Sequence, residues 1–185
     1  MSSQLQVSST IVKRAFGRTD AFLDYISVLE GVRDTCLFMI LGDIEREALN
    51  RQDGTRIPCA AEQIFLLLTY AGKARSDDHV LIAGLGGMHF FTKQKTSPAV
   101  HAFLEKYNRN PLNTKEGERD LGYLLGYPTC CVNAHYKGES LSLKTGFRAV
   151  PFSPCRPYCD MGWILDYKRM AVEHGIDITT PFIRY

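Results

Sequence analysis

Apolar positions recur at helical spacing in the first third of the chain. Asp20 can cap a helix whose buried positions include Phe22, Ile26, Leu29 and Val32, with Gly31 weakening its end. A second amphipathic run over Thr35 to Asn50 carries Leu37, Ile40, Leu41, Ile44 and Leu49, and it stops at the turn pair Asp53-Gly54. Pro58 suits the first position of a third helix that reaches Gly72. The period then changes. His79 to Leu85 and Met88 to Thr92 read as strands, joined at Gly86-Gly87, where positive φ is free for both residues. Ser97-Pro98 opens a helix through Tyr107, with serine as N-cap and proline at the first position. Asn113 and Glu116 stand at capping-box spacing before a short helix ending near Gly126. Phe147 to Phe152 reads as a further strand, and a last helix runs from about Asp160 to His174 and stops at Gly175. These elements predict an α+β fold: a helical N-terminal third, a small sheet or hairpin, and cysteine-bearing helix starts in the C-terminal half. No linker or repeat divides them, so residues 1–185 are expected to form one domain.

Composition narrows the classes of function. The chain of 185 residues is 45% hydrophobic and 23% charged, as globular chains are. A net charge of +2 and scattered Lys and Arg give no basic track for phosphates, so nucleic acid is not an expected partner. The stretches Ile64 to Leu68 and Val80 to Leu85 are far too short to span a membrane. The polar start, Met1 to Gln6, lacks the plan of a signal peptide, and a soluble, cytoplasmic protein is expected. Six cysteines in a reducing compartment point to metal binding or thiol chemistry and away from a disulfide framework.

Four of the six fall within 30 residues as two close pairs, Cys130-Cys131 and Cys155 with Cys159. Each pair sits where a helix should begin. Pro128 ends one helix and Thr129 is a good N-cap, which puts Cys130 and Cys131 on a first turn, where free N–H groups and the helix dipole stabilise thiolate. Ser153 or Asp160 can cap the helix after the second pair, and Pro157 makes the Cys155–Cys159 link partly loop. Cys36 and Cys59 stand alone on apolar faces, where cysteine is a small packing residue.

Three chemistries suit the four thiols. Zinc takes a closed tetrathiolate, although adjacent cysteines are awkward for one ion because neighbouring side chains tend to diverge. An iron–sulfur cluster offers several iron corners, so adjacent thiolates reach different ones, and this ranks first on sequence grounds. Metal-free exchange, with Cys130 or Cys131 attacking and another cysteine resolving, is the third. His135 follows the first pair by about one helical turn and is a candidate ligand or proton donor. Tyr127, Arg156 and Tyr158 are placed to shape a pocket, with Arg156 suited to an anionic small molecule. His79, His89, His101 and His174 read as structural or surface residues. The favoured function is an oxidoreductase or sulfur transferase built on the cluster. The alternative is a non-catalytic zinc module.

The segments Gly126-Tyr127-Pro128-Thr129-Cys130-Cys131 and Pro154-Cys155 through Cys159 resemble a family of uncharacterised prokaryotic domains, most of them archaeal, marked by G-Y-P-x-C-C and then P-C-x-x-x-C. The similarity extends back over His89-Phe90-Phe91-Thr92-Lys93 and so covers roughly the C-terminal half. The family pattern places a histidine before the second pair, where this chain has Pro151-Phe152-Ser153. The resemblance implies that the cysteines act together. It implies no particular reaction.

Overall fold

The structure, a computed structural model, describes residues 19–40, 78–84, 87–108, 111–139, 155–156, 159 and 161–175. Helix α1, Thr19–Leu29, forms on the predicted apolar spacing, and Phe22, Leu23, Tyr25, Ile26 and Val28 are all buried. It ends before Val32, because Gly31 takes a φ of +75°, a region L side chains rarely enter.

The next segment departs from its predicted helix. Thr35–Met39 is strand β1, not the start of a helix through Asn50. It is hydrogen-bonded to β3, Met88–Lys93, which also pairs with β2, His79–Ala83. The order is β1-β3-β2 and both pairings are antiparallel, with Cys36 opposite Phe91 and Leu81 on the other side. Thr35, Cys36 and Phe38 are all buried, so the segment shows no polar alternation. A continuous apolar run of this kind suits a strand covered on both faces as well as it suits a helix. The helix expected over Pro58 to Gly72 and the strand expected over Phe147 to Phe152 lie outside the described residues. The α+β class is therefore present, with five helices and one three-stranded sheet among the described residues.

The two faces of the sheet carry different helices. On one, Ile82 and Phe90 meet Val100, Phe103 and Leu104 of α2 (Ser97–Lys106) and Leu121 of α3 (Lys115–Leu124). On the other, Phe91 packs on Tyr25 of α1, with ring centroids 4.6 Å apart, and α5 (Met161–Glu173) lies against α1. Two caps differ by one residue from expectation. Thr96, not Ser97, precedes α2, after a short 3-10 turn at Gln94–Thr96. Thr114, not Asn113, caps α3 by accepting from the Gly117 N–H at 3.0 Å. Its extended backbone aims the hydroxyl at the helix, whereas Asn113 is still in the turn Pro111–Asn113. No helix among the described residues is long and apolar enough to cross a membrane.

Candidate metal centre

Helix α3 hands the chain to the first cysteine pair. Gly126 closes the turn after α3 with a φ of +75°, and Tyr127 packs against the apolar cluster under the sheet. Helix α4, Thr129–Lys137, then begins. Pro128 holds the N-cap position with no side-chain cap, and its carbonyl accepts from the Cys131 and Val132 N–H groups at 2.9 and 3.0 Å. Thr129 is thus the first helical residue and not the cap expected of it. The fixed φ of proline already presets the entry. Cys130 and Cys131 still fall on the first turn.

Cys155 and Cys159 come from non-helical chain just before α5, in keeping with the expected loop, and the Cys159 N–H donates to the Arg156 carbonyl at 3.2 Å. The proposed caps Ser153 and Asp160 lie outside the described residues. All four sulfurs lie within 4.8 Å of one another. Cys159 is central: its Sγ is 3.4 Å from Cys130, 3.5 Å from Cys131 and 3.5 Å from Cys155. The adjacent pair, expected to diverge, stands only 3.9 Å apart. Neighbours on a helix differ by ~100° about the axis, and two side chains straddling one point can still meet there. A tetrahedral ion with bonds of about 2.3 Å separates its thiolates by ~3.8 Å. The observed separations bracket that figure. The four cysteines can therefore hold a metal ion.

The thiols differ in environment. Cys131 and Cys159 are buried, Cys155 is partly covered and Cys130 is exposed. Hydrogen bonds from Cys159 and then Cys155 hold the Cys130 thiol below its ordinary range. Burial pushes Cys131 and Cys159 up. Of these three thiols, Cys130 is the one whose surroundings favour losing the proton.

A cavity of about 370 Å³ opens beside the centre between α3 and α4. Cys131 and His135, one turn apart on α4, both line it, as does Tyr127. Arg156 is exposed, and Tyr158 lies outside the described residues. Sequence reasoning missed Arg119, which lines the same cavity and stacks over Tyr136 at 4.9 Å. Its only signal is its place one turn before Leu121 to Gly122 on an amphipathic helix.

It also missed a buried polar network. Arg33 pairs with Asp24 at 2.6 Å and its Nε–H donates to Ser27 Oγ at 2.8 Å. The Tyr167 hydroxyl donates to Asp24 at 2.9 Å, and the Arg33 guanidinium lies 5.8 Å from the centre of the Tyr127 ring. Tyr127 leads into the first cysteine pair and Tyr167 follows the second, so Asp24 and Arg33 sit between the two arms. Burial, with the Asp24 charge second, pushes the Tyr127 phenol up to about 12.

The other four histidines take structural or surface positions. His79 stacks on Phe91 at 5.1 Å, His89 bonds the Gly87 carbonyl at 2.8 Å, His101 is exposed, and His174 meets Glu30 at 2.9 Å. Cys36 is fully buried in β1, and Cys59 lies outside the described residues. Compared with known proteins, the chain matches no family model, no curated protein and no solved structure.

Proposed function

We propose that this protein is a single-ion tetrathiolate protein, with zinc as the ion, and that the ion ties α4 to the loop before α5. The sulfur separations, 3.4 to 3.9 Å for four of the six pairs and none beyond 4.8 Å, carry this reading. Thiolates on different iron atoms of a cluster sit farther apart than thiolates on one ion, because each lies outside its own iron. The compact spacing therefore supports zinc over the iron–sulfur cluster that sequence spacing alone ranked first. The G-Y-P-x-C-C likeness belongs to the same proposal, as a shared cysteine centre.

A second reading keeps the chemistry. Cys131 and His135 face one cavity, and Cys130 is exposed. This supports redox or sulfur-transfer chemistry on a small molecule, with Cys130 or Cys131 as nucleophile and His135 as the acid–base group. Tyr127 walls the cavity, and Arg156 and Tyr158 remain candidates for its rim.

Metal analysis of anaerobically purified protein tests both. One zinc per chain in a colourless protein is expected, and cobalt exchanged into the site should give the intense visible bands of a tetrahedral thiolate. Brown protein with iron and acid-labile sulfide would replace zinc by a cluster. Protein without metal that cannot be loaded with zinc would leave thiol chemistry as the reading.

A further inference from the structure

The cavity beside Cys131 does not end at the cysteines. A second, smaller hollow of about 110 Å³ adjoins it, and the two share Glu118, Arg119 and His135. Together they form one groove between α3 and α4 with unlike ends. The inner end is walled by Leu112, Leu121, Leu125 and Val132. The outer end carries Lys115, Arg119 and Lys137 against a single carboxylate, Glu118. Of the acids on α3 near it, Glu116 accepts from the Tyr136 hydroxyl at 3.2 Å, and Asp120, held by Lys106 and Tyr107 at 2.7 and 2.6 Å, also reaches Arg119 at 3.4 Å. Among the described residues neither Lys115 nor Lys137 has a carboxylate partner within ion-pair distance.

The walls are already fixed. Gly122 lets the helices approach so closely that an added Cβ would lie 3.0 Å from a Val132 methyl. The Tyr123 hydroxyl donates to Asn133 Oδ1 at 2.7 Å, and the Arg119 guanidinium rests on the Tyr136 ring, so both helices hold one spacing. A preformed, mostly apolar cavity with a few convergent polar groups is the usual form of a ligand site, and this one lies at the small end of the range of about 300 to 1,000 Å³.

We propose that the α3–α4 groove binds a small amphipathic carboxylate, its hydrocarbon part against Leu121, Leu125 and Val132 and its charge at Lys115, Arg119 and Lys137. Two lysines without a carboxylate partner, beside an arginine that Asp120 only partly offsets, favour an anion, and the apolar inner end favours one that carries a tail. The inference rests on the cavity reading above, in which a small molecule reaches Cys131, and not on which ion the cysteines hold.

Calorimetric titration of the metal-loaded full chain with octanoate, below its micellar range, tests it against two relatives. Acetate supplies the charge without the tail, and octanol the tail without the charge. Octanoate should bind saturably at one per chain, at least ~10-fold more tightly than either. The exposed pair Lys115→Gln with Lys137→Gln should weaken octanoate by ~10-fold or more and leave octanol unchanged. Absence of saturable octanoate binding overturns the proposal. So does equal binding of octanol, or octanoate binding indifferent to the two lysines. Metal content is measured on each sample: a chain that lacks metal but binds octanoate removes the ion reading and leaves this one standing.

Discussion

Cys36 and Cys131 are both buried, and they have opposite chemical standing. Cys36 lies on a strand covered on both faces, and burial, the largest influence on it, pushes its thiol up to about 12. It stays a neutral packing group. Cys131 lies on a helix start with three other sulfurs within 4.8 Å. Burial is the same in kind, so it cannot be what separates them. The number of like groups is. One buried thiol satisfies its modest polarity locally. Four thiols crowded together have mainly each other, and their stable charged state needs a cation in place of the protons. Clustering, not burial, marks the cysteines that can hold a metal ion.

The largest expected effect comes from breaking the cluster at its centre. Cys159→Ser removes the sulfur that touches all three others, so the ion should be lost and the melting temperature should fall steeply. Structural zinc supplies roughly 10 to 16 kcal/mol in zinc-finger peptides, and much of such a term is at stake here. Cys130→Ser should be milder, since its side chain is exposed and removes little packing. Metal content and thermal melting of the two variants, side by side, check the ranking. Equal losses would mean that the ion is held by all four alike and that Cys130 has no separate role.

A smaller effect belongs to the network between the two arms. Asp24→Asn keeps the shape but leaves the Arg33 charge buried without its counter-charge, which costs about 3 to 5 kcal/mol. Tyr167→Phe removes only a hydroxyl that donates to Asp24, and about 1 kcal/mol is expected. Denaturant melts of metal-loaded protein measure both. If the two variants are equally mild, the pair does not brace the arms.

The parts of this fold that sequence exposes are the punctuated ones. Gly87, Pro98, Gly126 and Gly175 mark turns and helix ends, β2, β3, α2, α3 and α5 fall near their expected bounds, and α4 begins where the first cysteine pair was expected to start a helix. Strand β1 escaped because Cys36 to Ile40 is apolar without interruption, and only helices on both faces of the sheet explain that. The cysteine pairs were legible because two pairs lie within 30 residues. Asp24, Arg33 and Tyr167 were not. The Tyr167–Asp24 bond joins residues 143 positions apart, and no local spacing encodes such a contact. The convergence of all four sulfurs was expected of a shared site, but the short Cys130–Cys131 separation was not, because it depends on where the second arm arrives.

The smallest effect sharpens the comparison from the other side. Cys36→Ala should leave metal content unchanged and cost about 1 to 2 kcal/mol at neutral pH, the loss of one small buried group. Its cost should also depend on pH, with a sign that follows from the thiol. An unfolded cysteine ionises near ~8.5, whereas the folded Cys36 thiol holds its proton to about 12. The folded chain thus binds this proton more tightly. The stability it contributes is fully present below ~8.5 and is lost as pH rises toward 12, at no more than about 1.4 kcal/mol per unit. Alanine has no such proton. The gap between wild type and Cys36→Ala should therefore narrow from about pH 8 to about pH 10. Urea melts of both proteins across that range, with the same metal loading, measure it directly. A gap that stays constant would mean that Cys36 reaches solvent or a cation in the folded chain. Loss of metal in the variant would mean that the centre extends to β1 and that the two kinds of cysteine are not separate.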